Sequence, residues 1–193
     1  MTEHAPMLKA LVEGERVSER DFDLIYPKSA RKYSRACWTP LAAALQAAAL
    51  LVERPGARVL DVGSGGGKLC LVGALTTLGL FTGVEREADL VEIAKGVSQR
   101  YGVARSRYLH GDAMSLDWAE FDALYFFNPF VNSVENEAEF MRVIPAVQQK
   151  LAALRPKTRV VTYHGFGGQM PSGYREWSAT IVGPGLLQLW VRE

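Results

Sequence analysis

Cysteine is scarce in this chain: two in 193 residues, Cys37 and Cys70, far apart and matching no metal-ligand spacing. A reduced, cytoplasmic setting with both thiols as small buried hydrophobes fits that usage best. No His/Asp/Glu cluster has ligand spacing either, so no metal is expected. An excess of one charge is also missing. Lys and Arg total 22 against 21 Asp and Glu, a net charge of +1. No general field therefore draws in nucleic acid or anionic membrane, and affinity for a polyanion would need a local patch. Long hydrophobic runs are absent: the most apolar stretch, residues 41–52, is too short to cross a bilayer. The opening Met1-Thr2-Glu3-His4 has neither the basic nor the apolar region of a signal peptide. These absences predict a soluble protein with no membrane partner. There is no internal repeat and no low-complexity linker. What remains is ordinary globular composition, 48% hydrophobic and 22% charged, with length for one full-sized domain.

Residues 1–38 read as a polar N-terminal extension, and residues 39–193 as an alternation of helices and strands. Thr39-Pro40 predicts a helix start, with Thr39 capping and Pro40 in the first turn; the Ala/Leu run continues to Glu53 and stops at Pro55-Gly56. Strands are expected at 58–62, 80–84, 106–110, 121–127 and 159–163. Helices are expected at 68–78 (ended by Gly79), 87–100 and 135–154, the last bent or divided at Pro145. Two further strands, 177–182 and 186–191, flank Gly183-Pro184-Gly185, which is hairpin chemistry. Strands separated by helices and closed by a hairpin give an α/β fold with a mostly parallel sheet and a reversed edge strand.

The glycine cluster Gly63-Ser64-Gly65-Gly66-Gly67 lies between a strand and a helix. A P-loop would require glycine at Val62 and a hydroxyl at Leu69, so Lys68 is expected to snorkel or pack near the helix start. The dinucleotide fingerprint fails at its third glycine, where Lys68 stands. Asp61, two residues before the first glycine, would be unfavourable beside a pyrophosphate. It suits S-adenosylmethionine, which carries an ammonium, a carboxylate and a sulfonium but no phosphate. The helix N-terminus can face the carboxylate of that ligand. Glu85, at the end of the second strand, can accept hydrogen bonds from two ribose hydroxyls. Asp112, after the third strand, can meet an adenine amino group or simply form a turn.

In order and spacing, Leu60-Asp61-Val62-Gly63-Ser64-Gly65-Gly66-Gly67, Phe81-Thr82-Gly83-Val84-Glu85, Gly111-Asp112-Ala113 and Phe121-Asp122-Ala123-Leu124-Tyr125 resemble the class I S-adenosylmethionine-dependent methyltransferases, from residue 39 to the C-terminus. The resemblance implies a Rossmann-like, mostly parallel seven-stranded sheet with helices on both faces and a C-terminal antiparallel hairpin. It implies cofactor contacts from Asp61, Gly63, Ser64, Gly65, Gly67, Glu85, Asp112, Ala113 and Asn128. Asp122, at the start of the fourth strand, is more often structural in that family. A nicotinamide-dependent oxidoreductase, an enzyme using decarboxylated S-adenosylmethionine and a non-catalytic S-adenosylmethionine-binding module are the alternatives.

Asn128-Pro129-Phe130-Val131 occupies the place of the Asn/Asp-Pro-Pro-Tyr/Phe segment of family members that methylate amino nitrogens, without its second proline. Asn128-Pro129-Phe130 also has a local similarity to the non-SET histone-lysine methyltransferases. Asn128 and Phe130 are thus the catalytic candidates, and N-methylation of a protein or small molecule is the expectation. The alternative makes Asn128 a strand cap whose carbonyl meets the cofactor's ammonium. Tyr26, Tyr33 and Trp38, interleaved with four basic residues, are substrate-binding candidates on a lid; otherwise their rings pack against the sheet. His164 is a possible general base or a structural histidine, and residues 165–173 read as a loop at the rim.

Overall fold

The computed structural model describes residues 4–31, 38–130 and 137–193. Seven strands form one sheet: β1 Arg58–Val62, β2 Leu80–Glu85, β3 Ser106–His110, β4 Ala123–Phe126, β5 Arg159–Tyr163, β6 Tyr174–Val182 and β7 Gly185–Arg192. Their order is β3-β2-β1-β4-β5-β7-β6, and β7 runs opposite to the other six described strands. The order reverses between β1 and β4, which pair directly from Val59 with Ala123 to Val62 with Phe126. A crevice opens beyond the carboxyl ends of the strands at such a switch point.

Seven helices are described: α1 Ala5–Val12, α2 Glu19–Asp23, α3 Lys28–Arg31, α4 Leu41–Leu51, α5 Lys68–Thr76, α6 Ala88–Arg100 and α7 Glu137–Ala152. Alternation along the strands divides the core into two. Val59, Phe81, Ala123, Tyr125 and Val161 pack with α4, α5, α6 and the N-terminal helices. Leu60, Val62, Val84, Leu124, Phe126 and Val160 face α7. β4 is buried at every position, which explains its unbroken apolar sequence.

Several expectations change in detail. Thr39 does not cap α4; its hydroxyl pairs with that of Tyr125 at 3.0 Å, and Pro40 takes the cap position with no side-chain bond. The Leu41 N–H is capped instead by the Glu19 carboxylate, at 2.6 Å, from a different helix. α7 runs unbroken through Pro145. The ladder bond that proline removes would reach the carbonyl of Met141, whose side chain is exposed, so water can replace it. β4 is shorter than predicted, and β6 starts earlier, at Tyr174. The polar extension is not featureless, since α1 to α3 come from it. No described helix is long and apolar enough to cross a membrane.

Candidate functional site

The glycine loop joins β1 to α5 at the switch point. The N–H groups of Gly63 and Ser64 both donate to the Val84 carbonyl, at 3.0 Å each, fixing the loop to the end of β2. Gly67 caps α5 with a left-handed φ of 76°. A Cβ there would run into the Tyr108 ring and come within 2.9 Å of the Ala94 methyl, so the position demands glycine twice over. Among the described residues no side chain caps α5, and its first turn has no acid, leaving backbone N–H groups and the positive end of the helix dipole toward the crevice.

The three predicted acids stand at the ends of three neighbouring strands but in different surroundings. Asp61 is only 4% exposed and turns to the α5 side, where its Oδ2 accepts from the Cys70 thiol at 3.5 Å. Burial pushes its carboxyl up to about 7, with the nearby Glu85 adding to the shift and the Cys70 contact opposing it. Burial, and then Asp61, drive the thiol well upward, so Cys70 stays protonated. Glu85 is half-buried and organises the rim. Its Oε2 accepts from Gly65 N–H at 2.8 Å, and its Oε1 from Arg86 and Glu87 N–H at 2.7 and 3.0 Å. A carboxylate has about four lone-pair sites, so one is left for a ligand hydroxyl, and a second hydroxyl would take the place of Gly65. Asp112 is exposed and caps the short turn Ala113–Ser115 through Met114 N–H at 2.9 Å; the buried Ala113 follows it. Asp122 sits at the opposite end of the sheet, bound to Arg58 N–H at 2.8 Å and to the guanidinium groups of Arg54 and Arg155.

Asn128 adopts a left-handed φ of 45° just after β4, and its N–H donates to the Gly165 carbonyl at 3.0 Å. His164, after β5, is left-handed too, at 60°, and its exposed ring stacks on Phe127 at 5.8 Å. Pro129 presses on the glycine loop so closely that a Cβ at Gly63 would lie 2.8 Å from its own. Phe130 is 7% exposed and belongs to the second core, so its ring supports this turn rather than facing the crevice.

The N-terminal segment meets the glycine loop from the other side. The Trp38 indole lies across Gly65 and Gly66, where added Cβ atoms would fall 3.2 Å from Nε1 and 2.6 Å from Cζ2. Tyr26 is buried and tilts against Trp38 with centroids 4.6 Å apart. Tyr33 and Cys37 lie outside the described residues. Of the two expectations for Lys68, packing at the helix start holds and snorkelling does not: it is 2% exposed, and its ammonium is bound by Glu19 and, at 2.7 Å, by Asp23, with the Phe22 ring 5.5 Å away. Glu19, Asp23 and this role of Lys68 escape sequence reasoning, because nothing local marks acids on α2 as partners of a lysine beyond the glycine loop.

The profile of the methyltransferase domain family matches residues 53–163. No curated protein matches the sequence. Among solved structures, TrmN from Thermus thermophilus superposes with a TM-score of 0.67 at 22% identity, over 85% of this chain and 52% of that one. This chain thus spans about half the length of the Thermus protein. An RNA methyltransferase from Salinibacter ruber, in complex with S-adenosylhomocysteine, gives 0.58 at 20% identity, over 80% of this chain and 92% of that one. A mutant of MtNAS in complex with S-adenosylmethionine gives 0.61 at 17% identity, over 100% of this chain and 80% of that one. At these identities the structural likeness speaks for the fold, and the profile, covering more than half of the chain, for the family. The chain belongs to the methyltransferase domain family, the S-adenosylmethionine-dependent methyltransferases of class I fold.

Proposed function

We propose that the chain transfers the methyl of S-adenosylmethionine to a nitrogen nucleophile on a protein or small molecule, bound at the rim formed by Asn128 and His164. The observation that carries this reading is the left-handed Asn128, tied to Gly165 and backed by Pro129 against the glycine loop. Strain of that kind costs on the order of 1–3 kcal/mol and concentrates at functional turns. A net charge of +1 favours a protein or small-molecule acceptor over a polyanion, although the Salinibacter neighbour is an RNA methyltransferase.

The residues present fit the cofactor. The uncapped start of α5 suits its carboxylate, Glu85 its ribose hydroxyls, Asp112 and Ala113 its adenine, and the Asn128 carbonyl its ammonium. Ser64 turns its hydroxyl onto Gly83 of β2, where it is buried with no partner among the described residues. Bound S-adenosylmethionine supplies a methyl already activated on a sulfonium sulfur. The protein's task is alignment and exclusion of water, which supplies up to roughly 7–11 kcal/mol in favourable cases. The Asn128 side-chain oxygen accepts a hydrogen bond from the incoming nitrogen and aims its lone pair. His164, beside it on Phe127, takes the proton that nitrogen loses.

Glu85→Ala is expected to weaken S-adenosylhomocysteine binding by about 1–3 kcal/mol, read by calorimetry on a variant whose fold is checked by circular dichroism. Unchanged affinity would remove the ribose assignment. For the acceptor, labelled S-adenosylmethionine is incubated with protein, nucleic-acid and small-molecule fractions of a lysate. Asn128→Ala should lower kcat by roughly a hundredfold, the order seen when one preorganised polar group is lost. Its affinity for S-adenosylhomocysteine should change far less. A chain that binds cofactor yet labels no fraction is a binding module, and the enzymatic reading then fails.

A further inference from the structure

Affinity for an anion requires a local basic patch on a chain of net charge +1, and the structure contains one away from the crevice. The segment after α4, the turn after α7 and the amino ends of β4 and β5 enclose a cavity of about 420 Å³. Arg54, Arg155, Lys157 and Arg159 line it, against two acids, Glu53 and Asp122. Leu51 and Ala57, both buried, add apolar wall. Asp122 and Arg159 stand at the start of strands whose other ends lead to Asn128 and His164. The length of the sheet therefore separates this cavity from the crevice.

The two acids do not use up the cations. One oxygen of Asp122 accepts from Arg58 N–H, and the other takes a single nitrogen, Nη2, from each of Arg54 and Arg155. Burial alone would raise this carboxyl, yet the Arg58 N–H and the guanidinium groups of Arg54, Arg155 and Arg58 hold it below the usual carboxylate range. Asp122 thus keeps two guanidinium groups side by side, while their Nε and Nη1 atoms have no acceptor among the described residues. Glu53 pairs with Arg159 at 3.2 Å but is 67% exposed, so water readily replaces that contact.

Lys157 supplies a second, independent observation. It is exposed, and its ammonium has no ion pair among the described residues. Its φ is left-handed, at 71°, in the turn Arg155-Pro156-Lys157-Thr158, which Thr158 N–H closes on the Arg155 carbonyl at 3.2 Å. With proline second, the third position of such a turn favours glycine. A lysine held there is strained without an ion pair in return, and strain of that kind points to a role outside the fold.

We infer that this cavity binds the phosphate of a small phosphomonoester, with Arg54 and Arg155 offering forked donors, Lys157 a point charge, and Leu51 and Ala57 contact for the organic part. Arginine forks match phosphate oxygens, and a lysine beside them adds charge without fixed geometry. A dianion balances the cations that the two acids leave in excess. The inference does not rest on the cofactor reading, since the two sites lie at opposite edges of the sheet.

Calorimetry on the full chain tests it with phenyl phosphate, inorganic phosphate and a single-stranded oligonucleotide whose phosphates are all diesters. Phenyl phosphate should occupy one site, bind more tightly than inorganic phosphate, and not be displaced by S-adenosylhomocysteine. Lys157→Gly removes the ammonium and suits the left-handed turn, so thermal unfolding should match that of the parent. It should weaken phenyl phosphate roughly tenfold, as for a lost hydrogen bond to a charged group. Arg155→Gln should act in the same direction. No binding of phenyl phosphate, or equal binding by Lys157→Gly, overturns the inference. Displacement by S-adenosylhomocysteine puts the ligand in the crevice and overturns it too. Inorganic phosphate bound as tightly as phenyl phosphate removes the organic ligand. Tighter binding of the oligonucleotide makes the patch a nucleic-acid surface, and the monoester assignment falls.

Discussion

Glu19→Gln and Asp23→Asn together are expected to destabilise the fold by about 3–5 kcal/mol, the cost of leaving one buried charge without its partner. Lys68 is 2% exposed, and these two carboxylates are the counter-charges bound to its ammonium. The glutamine amide would keep an oxygen for the Leu41 N–H, so the helix cap survives and the measured loss reports the charge. The opposite disruption is milder. Lys68→Met leaves acids of which Glu19 is 43% exposed and returns to water, and its cost should be about 1–2 kcal/mol. Urea denaturation of both variants at neutral pH tests the ordering. A double variant as stable as the parent would mean the ammonium is hydrated in solution and the cluster is no lock. Because Trp38 and Tyr26 ride on the same segment, the double variant should also expose the N-terminal extension to limited proteolysis.

The second large effect concerns Asp61 and is a matter of slope. Its carboxyl titrates at about 7 in the folded chain because burial disfavours the charge, whereas in the unfolded chain it titrates near 3.8. Between those values the native state holds a proton that the unfolded state has lost. Stability from this group is therefore greatest below about pH 4, falls as pH rises toward 7, and is level above that. The total is about 4 kcal/mol, taking 1.36 kcal/mol per unit. Asp61→Asn removes the titration, so its stability should lose this component of the decline across that range. Its absolute stability is a poorer guide, since the new amide brings donors the buried site does not accommodate. Denaturant titrations at intervals from about pH 4 to 8 give the comparison, and parallel curves for parent and variant would refute the buried-carboxyl account. On the cofactor reading, a cationic ligand near Asp61 favours its ionised form, so binding at about pH 6.5 should release a proton.

Both effects lie in groups the sequence displays but does not explain. The glycine loop, the acids at the strand ends and the closing hairpin were legible because each depends on neighbours in the chain. β3 and β5 fall on the predicted residues, Ser106–His110 and Arg159–Tyr163, since apolar runs bounded by turns need no distant information. Asp61, Glu85 and Asp112 could be placed at strand ends for the same reason. That Asp61 turns under α5 while Glu85 holds the open rim could not be read locally, because it follows from which face of the sheet the helices cover. Phe130 reads as an aromatic beside a functional asparagine, yet the sheet curls it into the second core. Thr39 reads as a helix cap, yet Tyr125 across the sheet claims its hydroxyl.

Sequence by itself determined the family, the strand and helix order, and the residues that line the carboxyl edge of the sheet. Only the tertiary structure decided what Lys68 does. It brings the lysine to acids 49 and 45 residues away, and through them sets Tyr26 and Trp38 on the glycine loop. Hydrophobic periodicity and turn chemistry act over about three or four residues and so are written along the chain. The pairing of one buried charge with another depends on how whole elements pack, and it takes effect only once the sheet and its helices have closed around it.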